Sequence, residues 1–255
     1  MKAIGAFIIG FLFLTIAITL PLRALSPAEH PDSRLANADW EEVGSGSASG
    51  GGISNSGGEA SAPTIAVGSG GQVYVAWMRC DLCNDPLPET HVYIRRYTGS
   101  QWTTVGAGSD SGAGIDSFTF GERALVAAAP DGTIVLAYVI FDADSTWGWL
   151  NVKRWDGSEW SAIGPEDFYE QPGLGVVSLA VGPDSQPYLA FNLGSVVYVL
   201  RWNGADWVGL GESATGGGLG LIDGEPRTYG PKIAVATNGA DDVAWSRQSE
   251  AVDPR

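Results

Sequence analysis

The residues equipped to do chemistry in this chain are few and scattered. Cys80 and Cys83 form a single C-x-x-C, with no second cysteine pair and with His91 as the nearby histidine. A structural zinc ion takes four ligands. The pair therefore reads first as a short disulfide pinning a loop in an oxidising compartment, with free thiols and metal or redox chemistry as the alternatives. Asp142 and Asp144, with Asp81 and Asp85, are loop carboxylates able to offer oxygens to calcium, or simply solvated acids in an acidic chain. No other cofactor is implied. Trp147 and Trp149 flank one glycine. Exposed tryptophans stack on flat apolar faces such as those of sugar rings, although a Trp-Gly-Trp also serves to cover a sheet edge. His30 lies in a polar stretch, so no Ser-His-Asp set assembles from the two histidines. Carboxylates are plentiful, but nothing singles out the acid–base pair that glycoside hydrolysis requires. No residue is assigned a catalytic role.

These residues must be positioned by a scaffold, and composition bounds what it is. The 255 residues are 44% hydrophobic, enough for a sizeable core, and 36 glycines against 14 Lys+Arg point to many strands joined by tight turns. A net charge of −15 excludes nucleic acid as a partner, because phosphate binding needs a basic footprint. Lys2 followed by the uncharged run Ala3 to Leu20 marks residues 1–26 as a signal peptide or an uncleaved N-terminal anchor. Either places the folded part outside the cytoplasm, secreted or at the cell surface or periplasm, with membrane contact only through that segment. Residues 27–38, polar and holding Pro27 and Pro31, read as a linker.

From residue 39 to 255 the chain repeats itself. Ala66, Ala127, Ala180 and Ala234 sit at the centre of four short apolar stretches, 61, 53 and 54 residues apart. Each stretch (strand a) is followed by a tight turn and a β-branched, aromatic run ending in alanine and an aromatic residue, as in Val73-Tyr-Val-Ala-Trp77 (strand b). Strand c follows in three units, ending at Tyr97, Trp155 and Trp202; Thr98-Gly99, Asp156-Gly157 and Asn203-Gly204 then read as hairpin turns. Strand d runs from Trp102, Trp160 and Trp207 to Gly106, Gly164 and Gly211, with a first copy at Trp40 to Gly44. The order is d, then a-b-c-d three times, then a-b. Small four-stranded sheets repeated around an axis make a β-propeller, so the expected fold is all-β, with about 3.5 to 4 blades.

The run from Trp40-Glu-Glu-Val-Gly through Pro63-Thr-Ile-Ala-Val, Val73-Tyr-Val-Ala-Trp and Val92-Tyr-Ile-Arg-Arg-Tyr resembles the repeat of bacterial exported β-propeller proteins, Kelch-like and sialidase (BNR)-like. The resemblance covers residues 40 to 245. It implies architecture and says almost nothing of activity. Sialidase boxes read Ser-x-Asp-x-Gly-x-x-Trp, and here only Gly-x-x-Trp stands, at Gly99, Gly157 and Gly204; the Kelch double glycine is absent. Such propellers have six to eight blades, so the expectation is an incomplete ring, the alternative being closure of four blades by Trp40 to Gly44. The resemblance also raises three converging arginines on a carboxylate, but Arg96, Arg154 and Arg201 share one repeat position, which spreads them around the ring.

Alternating strand direction places the short a–b and c–d turns on one face and the longer b–c and d–a loops on the other. Variable loops on a rigid scaffold are where function concentrates. The expected function is non-catalytic binding of a glycan or a protein through that loop face, with Trp147, Trp149, Asp142 and Asp144 as candidate contacts. The alternatives are a fragment of a sialidase- or glycosidase-like enzyme and a structural repeat segment of a surface protein.

Overall fold

A computed structural model describes residues 41–55, 59–81, 83, 88–144, 146–166, 169–194, 196–211, 213–214, 218–219 and 228–247. The expected signal segment, the linker, Trp40 and Asp85 lie outside them. The chain divides into Met1–Glu41 and Glu42–Arg255; all that follows concerns the second unit.

The all-β expectation holds: the described residues contain sixteen strands and no helix, and every named strand pairing is antiparallel. The first sheet runs β1 (Glu59–Val67), β2 (Val73–Cys80), β3 (Thr90–Tyr97) and β4 (Trp102–Thr104), and β5 (Asp116–Phe118) adds to β3. The second is β6 (Phe120–Ala128), β7 (Ile134–Phe141), β8 (Trp147–Trp155) and β9 (Trp160–Ala162), with β10 (Tyr169–Pro172) on β8. The third is β11 (Leu174–Val181), β12 (Pro187–Leu193), β13 (Val196–Trp202) and β14 (Trp207–Gly209). The fourth holds β15 (Thr228–Val235) and β16 (Asp241–Arg247).

The four units are built alike. Every first strand carries a register shift within one residue of the same repeat position, Ser61/Thr64, Gly121/Ala124, Leu174/Val177 and Tyr229/Lys232. A bulge there bends the strand and raises its twist. Every a–b turn closes with the same pair of backbone bonds and needs one residue at positive φ: Gly71, Gly132, Ser185 and Gly239. The first strands lie nearest one another, and Ser69, Pro130, Pro183 and Thr237, one from each a–b turn, border a common opening. Apolar residues fill the space between successive sheets. Val126 and Ile134 pack with Ala76 and Ile94; Leu189 with Leu150 and Val152; Ile233 with Ala190 and Val199.

Two details depart from expectation and a third agrees with it. Residues 41–44 form no strand, because every observed strand d pairs with a preceding strand c and none precedes this copy among the described residues. The c–d connections are four-residue loops between the strand ends read from the sequence, since Tyr97 pairs with Trp102, Trp155 with Trp160, and Trp202 with Trp207. Asp156 and Asn203 act there as side-chain acceptors for backbone N–H groups two and three residues on. The d–a segments, read from sequence as free loops, instead return to the sheet: β5 lies on β3, β10 on β8, and Leu219 bridges to Val197. They cover the stretch of strand c that the short strand d leaves bare.

Candidate functional site

The end of the sheets carrying the b–c loops has three features: a charged cluster, a cleft and an aromatic edge. The antiparallel register of β2 and β3 sets Arg79 opposite His91 and Cys80 opposite Thr90. Asp81 follows, bonded to Arg79 at 2.6 Å and lying 3.3 Å from His91 Nε2, and its amide donates to the Glu89 carbonyl. Glu89 is 3.8 Å from the same histidine nitrogen. The Arg79 guanidinium lies 4.7 Å from the centre of the Tyr93 ring, which stacks on Trp77. The hydrogen bond from Arg79 holds the Asp81 carboxyl below the usual carboxylate range, and the same bond raises Arg79. Burial pushes the Tyr93 phenol up. A disulfide joins Cys80 to Cys83 with the Cα atoms 5.5 Å apart, tying down the start of this loop.

Beside this cluster is an open cleft of about 470 Å³, bordered by Cys80, Cys83 and Pro88 of the first unit, Phe120 and Phe141 of the second, and Leu174 of the third. Gly148 packs against Phe141 and Leu174, so closely that an added Cβ would lie 3.1 and 3.0 Å from them. The two tryptophans on either side of Gly148 therefore point from the other face of β8, away from the cleft. Trp147 is 42% exposed and Trp149 is half-buried.

The carboxylates beside Trp147 close its loop. Asp142 Oδ1 accepts the Trp147 amide at 2.9 Å, and Asp142 Oδ2 and Asp144 Oδ1 both accept the Thr146 hydroxyl, at 3.1 and 2.6 Å. The Thr146 hydroxyl is the main reason that the Asp144 carboxyl sits below its ordinary range. Asp81 is likewise engaged by Arg79, and Asp85, the fourth acid considered for calcium, lies outside the described residues. Among the described residues, no three His, Cys, Asp or Glu side chains gather to hold a metal ion.

Asp116 takes a short bond from the buried Tyr138 hydroxyl and lies 3.2 Å from Lys153. The recurring arginines sit at the far ends of their strands: Arg154 donates to the Ser185 carbonyl and Arg201 pairs with Asp184, both in the a–b turn of the third unit. They hold turns together on the opposite face. Sequence reasoning missed Arg79, Glu89 and the pairing of Asp116 with Tyr138, because strand register brings these together and no motif marks them.

No family model and no curated protein matches the chain. The structure is similar to the solved Hadza microbial sialidase Hz136 at TM-score 0.45 and 12% identity, over 74% of this chain and 40% of that one. A protein of unknown function from Dyadobacter fermentans gives TM-score 0.44 at 11% identity, covering 72% and 56%. A glycosyl hydrolase from Bacteroides ovatus gives 0.40 at 12% identity, covering 60% and 49%. The chain thus spans about half the length of these proteins. Likeness this distant carries no inference about activity.

Proposed function

We propose that this chain is part of an exported β-propeller that binds carbohydrate, without catalysis, through the end carrying its b–c loops. The observation behind the reading is Trp147, a large aromatic residue left 42% exposed at the end of the sheets that carries the b–c loops. Its backbone is fixed on both sides, by the Asp142 carboxylate on its amide and by pairing with Pro172. A ring held in place in advance loses little freedom when a sugar stacks on it, and the Asp144 carboxylate beside it accepts hydroxyl hydrogens. The apolar leader and the Cys80–Cys83 disulfide support export. The bonds that engage Asp116, Asp142 and Asp144 support binding over hydrolysis.

The test is a glycan array probed with the full chain, followed by titration of any ligand found. Binding should weaken about tenfold in Trp147→Ala, the loss expected for removing a stacking platform worth about 1.5 kcal/mol. Silence of a folded sample across the array, or binding unchanged in Trp147→Ala, would refute the assignment. Turnover of a chromogenic glycoside would instead make the chain an enzyme.

A further inference from the structure

We propose that Asn203 is a self-modification site: the Gly204 amide attacks the Asn203 carboxamide and converts it to aspartate and isoaspartate, while the fold protects the matching Asn238. The chain contains the tetrapeptide Asn-Gly-Ala-Asp twice, at Asn203 to Asp206 and at Asn238 to Asp241. Both asparagines and both glycines are exposed, so access to water does not separate the two copies. Their hydrogen bonds do.

The first difference lies in the nucleophile. Attack requires the glycine amide nitrogen to give up its proton and form a bond to the asparagine Cγ. The Gly239 amide is engaged, donating to the Ala236 carbonyl at 2.9 Å in the bond that closes every a–b turn. The Gly204 amide donates to none of the described residues, because the c–d loop closes instead through Asn203 N–H on the Asp206 carbonyl at 3.0 Å. Attack at Asn238 must first break a turn bond, and attack at Asn203 need not.

The second difference lies in the oxygen that gains charge. As the nitrogen adds to Cγ, electron density moves onto Oδ1. At Asn203 two amides already point at that atom, Ala205 at 2.9 Å and Asp206 at 2.8 Å. Donors fixed in advance on an oxygen that becomes an oxyanion lower the barrier to acyl attack. Asn238 Oδ1 accepts a single amide, from Ala240 at 3.0 Å. Collapse of the adduct breaks the bond from Cγ to the side-chain nitrogen and expels ammonia, leaving a succinimide. Water then opens the ring. Addition at Cγ restores the normal backbone with an aspartate, and addition at the main-chain carbonyl gives isoaspartate. One water enters and one ammonia leaves.

The two products differ in consequence. An aspartate fits the loop, since Asp156 at the equivalent place accepts the Ser158 and Glu159 amides in the same way. Isoaspartate lengthens the main chain by a methylene and shortens the side chain, so one acceptor no longer serves both amides. The loop joins Trp202 to Trp207, which pair across the strands with ring centroids 5.6 Å apart. Trp207 in turn occupies an indole seat on the second unit. Its Nε1–H donates to the Ile163 carbonyl at 3.1 Å, and an added Cβ at Gly164 would lie 3.0 Å from the ring. Isoaspartate at position 203 therefore loosens the join between the second and third units.

The experiment incubates the full chain at neutral pH and follows each site by mass spectrometry. Trypsin separates them, because the fragments Trp202 to Arg227 and Ile233 to Arg247 carry one asparagine each. In the folded chain Asn203 should convert at least about fivefold faster than Asn238, the ratio that one backbone hydrogen bond supplies. In urea the two rates should converge. Equal rates in the folded chain, faster conversion of Asn238, or a difference that persists in urea would each overturn the proposal. Stability tests the consequence. Aged chain bearing isoaspartate, counted by isoaspartyl methyltransferase labelling, should unfold at lower urea than fresh chain, and Asn203→Asp should unfold close to it. Asn203→Ser keeps an acceptor but cannot form the succinimide, so ageing should leave its midpoint unchanged. An equal loss on ageing in Asn203→Ser would show that the modification does not loosen the join.

Discussion

At Gly106 and its equivalents a missing side chain and a neighbouring indole define one contact between successive units. The chain takes φ +93° at Gly106, and the ring of Trp155 occupies the place where a Cβ would be. Alanine there combines an unfavourable backbone with a collision, so Gly106→Ala should cost about 2 kcal/mol or more in urea unfolding. Gly211→Ala meets open space at φ +59° and should cost only about 1 kcal/mol, the backbone part alone. Trp160→Phe keeps most of the ring but loses the bond to the Val105 carbonyl, for an expected loss of about 1 kcal/mol. If the three variants proved equally stable, the indole seat would be incidental to how the units join. The tryptophans and glycines of this contact were legible as repeat positions in the sequence. Their hydrogen bonds to the preceding unit were not, since nothing in a spacing says which carbonyl an indole will reach.

Among the elements, the c–d loops have a distinct pH signature. The Asp156 carboxylate accepts the amides of Ser158 and Glu159 and the Ser158 hydroxyl, and the Glu159 amide is the largest cause of its lowered pKa. A carboxyl that titrates lower in the folded than in the unfolded chain adds stability above its unfolded value, near 3.9. That stability is lost as pH falls through the lower, folded value. Thermal denaturation from pH 7 to pH 3 should therefore show a shallower acid decline in Asp156→Asn, whose amide oxygen still accepts but does not titrate. Parallel profiles for the two proteins would show that the cap does not couple to folding. The turn dipeptides and the flanking aromatics gave these loops their position and length, but not the capping of backbone N–H groups by Asp156 and Asn203. β5 and β10 were missed for a related reason: three or four residues leave no alternation, and they are strands because β3 and β8 offer an uncovered edge.

The units form a series with two unlike ends, and equivalent residues meet different surroundings along it. Within the series, strand a turns one set of side chains toward the preceding unit: Val126 and Ala128 toward the first, Leu179 and Val181 toward the second, Ile233 and Val235 toward the third. The same positions in β1 are Ile65 and Val67, which are 67% and 64% exposed. Ile65 and Ile233 are thus one residue type at one repeat position, differing only in whether a sheet covers them. Deleting buried methyl groups removes burial and leaves a cavity, so Ile233→Ala should lower stability by about 2 to 4 kcal/mol. Ile65→Ala removes atoms already in water and should change stability by less than about 0.5 kcal/mol. Chemical denaturation of the two variants side by side reads the difference directly. If Ile65→Ala matched Ile233→Ala, the flank of the first sheet would have to be covered in solution, by closure of the ring or by another molecule. If both changes were silent, the apolar contact between the third and fourth units would contribute little, and β15 and β16 would rest on their own pairing. The predicted asymmetry follows from position in the series, which is why an identical local sequence pattern gives it no warning.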